Sequence, residues 1–451
     1  MSKFDKIIGY DAIKNELLQI CDMLKNREIY DKFGAKLPHG ILLCGDPGLG
    51  KSLMAECFIE ECNIKAYTIR KNIGHNDFIG YITETFSEAK KNAPCIILLD
   101  DMDKFANEDD RHCDAEEYVA VQAGIDDVKH SDVFVIATVN QWYKLPDSLI
   151  RPGRFDKRIE FNCPTDKEAE KIIKHYLDGK KLADNVNIAD LTKMFTYSSC
   201  SELETIMNDA AINAAFCRKD KIEMNDLVNS VLRMQYDSPD NFTKKSKDEL
   251  KRTALHEAGH IVVSEVFCPG SIGLVSIRSS GRDSLGGFVH RCKEFERRPH
   301  HIIVSLAGKA AVELYYSDSC ASGCQRDIAQ AAHEIRAAIT ASGVSGLELI
   351  NVSYRGSDFS ESYKASVESV IHAELERYIR IARDIILKNR DFLEKITETL
   401  LEKETLIYSD IQKIKESVNI VKVTEGTGAY MLSENDSDLS GLDTEEDLLP
   451  F

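Results

Sequence analysis

Gly40-Ile41-Leu42-Leu43-Cys44 followed by Gly45-Asp46-Pro47-Gly48-Leu49-Gly50-Lys51-Ser52 is the most informative stretch of this chain. The first part is a short apolar run of strand type, and the second fits G-x-x-x-x-G-K-[ST]. A helix-like segment opens directly after it, from Leu53 to Glu60. Glycines at this spacing let successive backbone N–H groups turn inward on phosphate oxygens. Lys51 then reaches the β/γ oxygens of ATP, and the Ser52 hydroxyl ligates Mg²⁺. Asp46, Pro47, Gly48, Leu49, Gly50, Lys51, Ser52 and Leu53 are therefore the candidate nucleotide-binding residues. A plain glycine turn between strand and helix is the alternative, and the strand-before, helix-after context weighs against it.

Outward from this loop, residues 1 to about 160 alternate apolar runs with amphipathic stretches, as in Cys95-Ile96-Ile97-Leu98-Leu99 and Val133-Phe134-Val135-Ile136-Ala137. Continuous apolar runs separated by helical segments predict buried parallel strands in an α/β sheet. The run Cys95–Leu99 leads directly into Asp100 and Asp101. Asp100 is placed to hold Mg²⁺, and Asp101 to orient or deprotonate the attacking water. Residues 161–236 read as helical, a lid on the α/β domain of 1–160. A linker is expected over 237–247, where Ser-Pro-Asp-Asn breaks the pattern. From 248 to 422 helical periodicity dominates, with a short strand pair near Leu274–Ile277 and Gly287–His290. Beyond 423 the Gly, Ser and acidic composition reads as a disordered tail.

In the helical half, His256-Glu257-Ala258-Gly259-His260 is H-E-x-x-H within an amphipathic stretch, Thr253 to Val263. Positions i and i+4 share one helix face, so both imidazoles can meet one Zn²⁺ while Glu257 points at its bound water. A helix with two structurally satisfied histidines is the plainer alternative.

These motifs resemble the FtsH-type AAA+ proteases, over roughly residues 4 to 420. Pro94 to Asp103 is similar to that family's Walker B segment, and Asn140, after the next apolar strand, matches its sensor-1 residue. Leu149-Ile150-Arg151-Pro152-Gly153-Arg154-Phe155-Asp156 matches its second region of homology. The resemblance implies that Arg151 and Arg154 reach the γ-phosphate bound by a neighbouring subunit, hence a homo-oligomeric ring, a hexamer. It places Ile8 and Gly9 around adenine. In the second half, Thr253 to His260 is similar to the family's peptidase motif, and Ala321-Ser322-Gly323-Cys324-Gln325-Arg326-Asp327-Ile328 to its third-ligand segment. That makes Asp327 the third zinc ligand and leaves a fourth position for water, as in catalytic zinc sites. Cys320 and Cys324 lie nearby as thiols able to compete for a soft metal.

Three departures stand out. Asp101 replaces the family's Glu and is one methylene shorter. The Asp-Gly-Phe intersubunit signal is here Asp127-Val128-Lys129. The pore loop has two candidates, Asn72-Ile73-Gly74, preferred by position, and Phe78-Ile79-Gly80.

Net charge is −18, from 57 basic and 75 acidic residues, which weighs against a nucleic-acid partner. After Lys422 every charged residue is acidic. Thirteen cysteines with no Cys-x-x-Cys pair read as reduced thiols. No secretory signal and no apolar stretch of membrane-spanning length is found, so a soluble, cytoplasmic protein with no direct membrane span is expected.

The expected architecture is a P-loop AAA+ α/β domain with a helical lid, followed by a mostly α-helical metallopeptidase. The expected activity is ATP-driven unfolding and degradation of unfolded or tagged proteins in a zinc chamber. Two other readings stay open. One is a remodelling ATPase with a structural or inactive zinc site, which an intact Glu257 opposes. The other is a weak or nucleotide-locked ATPase acting as a scaffold, which Asp101 and the altered intersubunit signal keep open.

Overall fold

The computed structural model describes residues 2–71, 75–106, 115–238, 246–279, 281, 286–316, 324–342, 361–425 and 430–431. The chain divides into two compact units, Met1–Leu182 with Phe195–Ile222, and Ala183–Met194 with Glu223–Phe451.

The first unit runs α1 (Asp11–Lys25), α2 (Arg27–Asp31), β1 (Gly40–Gly45), α3 (Lys51–Cys62), β2 (Lys65–Ile69), α4 (His75–Lys91), β3 (Cys95–Leu99), α5 (Glu116–Val128), β4 (Val133–Val139), β5 (Lys157–Phe161) and α6 (Asp166–Leu177). After α7 (Ile188–Met194), which belongs to the second unit, it closes with α8 (Cys200–Phe216). The strands form one parallel sheet in the order β2-β3-β4-β1-β5. The sheet is covered on both faces, which is why its inner strands are apolar without alternation. Leu42, Ile97 and Val135 pack with Phe78, Phe86 and Val121 of α4 and α5. Their neighbours Ile41, Ile96, Ile136 and Phe134 pack on the opposite side with Leu17, Met54 and Phe58 of α1 and α3. Because all strands run the same way, the ends of β1, β3 and β4 share one edge of the sheet, where open α/β sheets bind ligands.

The second unit continues through α9 (Met224–Tyr236), α10 (Lys247–Phe267), β6 (Ile272–Ser276), β7 (Phe288–Arg291), α11 (Arg298–Glu313), α12 (Gln325–Ser342), α13 (Glu361–Lys388), α14 (Arg390–Lys403), β8 (Thr405–Ile407) and α15 (Tyr408–Glu416). The strand pair expected near 274 and 288 is present and antiparallel. A third strand, β8, joins it in the order β7-β6-β8, which leaves β7 at an edge. Ser246 caps α10: its hydroxyl accepts from Glu249 N at 3.2 Å while Glu249 Oε2 accepts from Ser246 N at 2.7 Å. The core lies between α10, α11 and α14, around Ile261, Val262, Ile303, Ala307, Leu393 and Ile396.

Several boundaries differ from those expected. The residues read as a lid, 161–236, are shared: α6 and α8 pack in the first unit, α7 and α9 in the second. Helix α10 reaches back to Lys247, inside the expected linker, because the Ser246–Glu249 box supplies a start signal there. Thr424–Glu425 pair antiparallel with Tyr430–Met431 within the expected tail, and the remainder of the tail lies outside the described residues. Of the two pore-loop candidates, 72–74 also lies outside them. Phe78, of the other, sits on α4 fully buried edge-on to Phe105, so its ring is a core element and not a loop tip.

The α10–α11 contact depends on Gly259. A Cβ there would stand 2.5 Å from Ala307 O and 2.7 Å from the Ala311 Cβ. Gly80, on the exposed face of α4, would meet nothing within 4 Å. Gly259→Ala is thus expected to destabilise the fold by about 1–3 kcal/mol through forced separation of the helices. Gly80→Ala should be neutral or stabilising by up to about 1 kcal/mol. Urea unfolding of the full chain, with midpoints compared between the two variants, checks the contrast.

Candidate functional site

At the sheet edge, β1 ends in the glycine loop and α3 begins at Lys51. Gly50, directly before it, is left-handed (φ 85°), a conformation open to glycine without strain. Gly48 (φ 79°) is needed for a second reason: a Cβ there would lie 2.1 Å from Ser201 Oγ, and Ser201 N donates to Gly48 O at 3.1 Å. Asp46 and Pro47 are exposed, whereas Leu49 is buried in the core, so only its backbone is free to face a phosphate. Leu53 is partly exposed on α3. Ile8 and Gly9 precede α1, and Glu168 of α6 reaches this segment by accepting from Tyr10 N at 2.7 Å.

Lys51 is 5% exposed, and its Nζ donates to Gly45 O, Asp46 O and Asn140 Oδ1 at 2.7, 2.7 and 2.8 Å. Burial lowers its pKa, opposed by the charges of Asp101, Asp103 and Asp46. Asn140 thus meets the P-loop lysine from the end of β4. Asp100 is 1% exposed at the end of β3; its Oδ1 accepts from Ser52 Oγ at 2.8 Å and from Thr138 Oγ1 at 2.7 Å. Its Oδ2 pairs with Arg70. Burial pushes the Asp100 pKa up, but Arg70, Thr138 and Ser52 outweigh it and hold the carboxyl below its usual value. A hydroxyl and a carboxylate in contact are a donor set that fits Mg²⁺.

Asp101 is left-handed (φ 54°). Its N donates to Thr138 Oγ1 at 2.8 Å and its carboxylate pairs with Lys104 at 2.8 Å. Asp103 Oδ1 is buried with no hydrogen-bond partner among the described residues. The arginines are not drawn into this cluster. Arg151 is exposed. Arg154 donates from Nε and Nη2 to Asp126 at 3.0 and 2.8 Å, and also to Ser148 O.

In the second unit, α10 carries His256 and His260 on one face, and the first turn of α12 brings Asp327 to them. The two Nε2 atoms are 3.1 Å apart, and Asp327 Oδ2 lies 3.1 Å from His256 Nε2 and 3.6 Å from His260 Nε2. The three ligand atoms all fall within 4.8 Å of one another. Each ring nitrogen facing away has its own contact: His260 Nδ1 meets Val304 O at 2.7 Å, and His256 Nδ1 meets Cys324 Sγ at 3.7 Å. Such outer contacts orient the rings and leave Nε2 for a metal. Two imidazoles and a carboxylate converging this closely fit zinc with one position open. Burial opposes charge on His256, yet the hydrogen bond with Asp327, then Cys324 and Glu257, push its pKa up to about 10. Burial likewise favours neutral Asp327, but the two histidines hold its carboxyl well below the usual range. Glu257 is buried beside this cluster on α10.

Two glycines shape the site, and neither was singled out in the sequence. A Cβ at Gly287, just before β7, would stand 2.6 Å from Glu257 Oε1, and one at Gly308 of α11 would stand 2.4–2.7 Å from the His256 ring. Arg70 and Thr138 were missed as well; nothing in a strand-end arginine or a threonine inside an apolar strand marks it as a partner of Asp100. Residues 320–323 lie outside the described residues.

Residues 41–163 match the model of the ATPase family associated with various cellular activities (AAA), and residues 243–414 that of peptidase family M41. The chain is similar to the ATP-dependent zinc metalloprotease FtsH 3 of Symbiobacterium thermophilum, at 29% identity over 454 residues, 92% of this chain and 71% of that protein. It is 30% identical over 451 residues to the ATP-dependent zinc metalloprotease FtsH of Mycoplasmopsis synoviae, 93% and 68% of the two chains. The FtsH of Thermus thermophilus gives 30% over 446 residues, 92% and 70%.

The packing of Gly308 on His256 has a direct consequence. Gly308→Ala should push the ring off its position and weaken zinc binding about tenfold or more, the range seen when ligand-orienting contacts are lost. Metal content after dialysis against buffered zinc, compared with Gly80→Ala, measures this.

Proposed function

Because the chain belongs to the FtsH family of ATP-dependent zinc metalloproteases, we propose that its two sites work as one machine, the first unit driving protein segments toward the second for cleavage. It is an enzyme that couples ATP hydrolysis to zinc-dependent proteolysis, built from an AAA domain and a helical M41 peptidase. Protein substrates and an oligomeric assembly go with that membership, and among the described residues no helix is long and apolar enough to cross a membrane. Our finer reading is a hexameric ring in the cytoplasm, fed with unfolded or tagged proteins.

The observation that carries the peptidase reading is the convergence of His256, His260 and Asp327 beside the buried Glu257. Zinc held by these ligands would supply Lewis acidity and lower the pKa of a bound water toward neutrality. Glu257 takes the proton of the attacking water on its carboxylate and passes it to the leaving amine nitrogen. Gly287 leaves room for that carboxylate at the start of the edge strand β7, where an extended substrate can add by backbone pairing.

In the first unit, Lys51 and the loop N–H groups of Asp46 and of Gly48 to Ser52 hold the phosphates. Ser52 and Asp100 would hold Mg²⁺, which would offset the negative charge of the phosphates. Asn140 positions Lys51, and Ile8 and Gly9 flank the base. Asp101 orients the attacking water. Arg151 and Arg154 act on a neighbouring subunit's nucleotide, for which the Arg154 guanidinium must exchange its contacts with Asp126.

The whole reading is tested by ATP-dependent release of peptides from an unfolded protein, abolished by a zinc chelator; release that persists without ATP or zinc defeats it. Glu257→Gln should retain zinc and lose about 10² or more in cleavage rate, because it is a base and not a ligand. Asp327→Ala should lose zinc and proteolysis while ATP turnover survives. For Asp101, whose carboxylate is engaged by Lys104, slow turnover is expected. Asp101→Asn should lose roughly tenfold or more while still binding ATP, and Asp101→Glu should equal or exceed the parent. An Asp101→Asn variant as fast as the parent would pass the role to Asp103.

A further inference from the structure

Asp100 is almost wholly buried, and a buried carboxylate needs compensation. Two hydroxyls supply part of it, from Ser52 and Thr138, both on Oδ1. The charge on Oδ2 is met by Arg70. The P-loop lysine does not do this, since Lys51 Nζ is committed to two carbonyls and Asn140. The placement of Arg70 follows from the sheet. Ile69 ends β2 opposite Leu99 of β3, and Asp100 N donates to Ile69 O at 2.9 Å, so the residue after Ile69 emerges beside the Asp100 carboxylate. The Arg70 side chain is 60% exposed. It reaches in from solvent and can swing back with little loss of packing.

We propose that Arg70 is a resident counter-cation of the Mg²⁺ site: it holds the Asp100 carboxylate in the metal's stead and must be displaced for Mg²⁺ to load with nucleotide. Arg70 thereby sets the Mg²⁺ concentration at which the ATPase fills. This rests on the reading of Asp100 and Ser52 as the Mg²⁺ holders. Metal and guanidinium compete for the same oxygens, so a favourable Arg70–Asp100 contact raises the apparent Mg²⁺ requirement in proportion to its own strength. A partly exposed pair of this kind is modest in energy. The expected shift is about threefold to tenfold, tenfold corresponding to about 1.4 kcal/mol.

The experiment titrates Mg²⁺ into the full-length protein with a fluorescent ADP analogue at fixed concentration, starting from a chelated baseline. Chelation of Mg²⁺ by free nucleotide is then the same for every variant. Arg70→Ala and Arg70→Gln should lower the half-saturating Mg²⁺ about threefold to tenfold with unchanged nucleotide affinity at saturating Mg²⁺. Arg70→Lys, which keeps the charge, should fall between them and the parent. An unchanged or raised half-point in Arg70→Ala overturns the proposal. So does weaker nucleotide binding at saturating Mg²⁺, which would make Arg70 a phosphate contact. Asp100→Asn distinguishes the underlying reading: it should remove most of the Mg²⁺ dependence. If it keeps the parent's Mg²⁺ half-point, the assignment of Asp100 fails and the proposal falls with it.

Discussion

Helices α10 and α11 touch at backbone distance, and the zinc chemistry is built on that closeness. Gly259 lets the Ala307 carbonyl come against α10. One residue further on, Gly308 gives the His256 ring its place, and on the next turn back Val304 O meets His260 Nδ1. The same helix face that buries Ile303 and Ala307 therefore also fixes both imidazoles. A side chain at either glycine would separate the helices or tilt a ligand. Core packing and ligand orientation cannot be varied independently here.

The nucleotide end solves a different problem, that of placing charge at the rim of an apolar sheet. Parallel strands bring Lys51, Asp100 and Asn140 together from β1, β3 and β4 without any of them being adjacent in sequence. Each would be unfavourable at this depth by itself. Lys51 is held by carbonyls and an amide, and Asp100 by hydroxyls and a guanidinium. The polar network is closed on its own members, and a phosphate or a metal must exchange with existing contacts.

Much of this was legible in the sequence because the decisive residues cluster within short spans. A P-loop after an apolar run and H-E-x-x-H in an amphipathic helix each carry their geometry locally, so strand order and helix face follow. Asp327 lies far from His260 in sequence and was placed only by family likeness; the structure brings it to 3.1 Å from His256 through the start of α12. What stayed hidden depends on tertiary approach. Gly308 is an ordinary residue of an apolar helix until His256 is seen against it. Arg70 is an ordinary strand-end charge until β3 is paired with β2. The helical pattern of 161–236 is real, but which compact unit each helix joins is decided by contacts that periodicity does not encode. Phe78-Ile79-Gly80 was a pore-loop candidate because it fits an aromatic-aliphatic-Gly pattern, yet its aromatic is a core position of α4.

The two cation sites differ in how their carboxylates are balanced, and this bears on how each takes up its metal. At Asp327 the partners are the imidazoles of His256 and His260, the other candidate ligands. Those partners would themselves be ligands, so taking up zinc there would call for no side chain to leave. At Asp100 the positive partner is Arg70, which donates and cannot ligate. Loading there moves a side chain outward, and unloading lets it return. An exchangeable counter-cation suits a site that must fill and empty with each nucleotide, just as partners that are themselves ligands suit one that keeps its metal. The same contrast explains the exposures: the histidines are locked beneath α11, whereas the Arg70 side chain is 60% exposed and its departure disturbs nothing in the core.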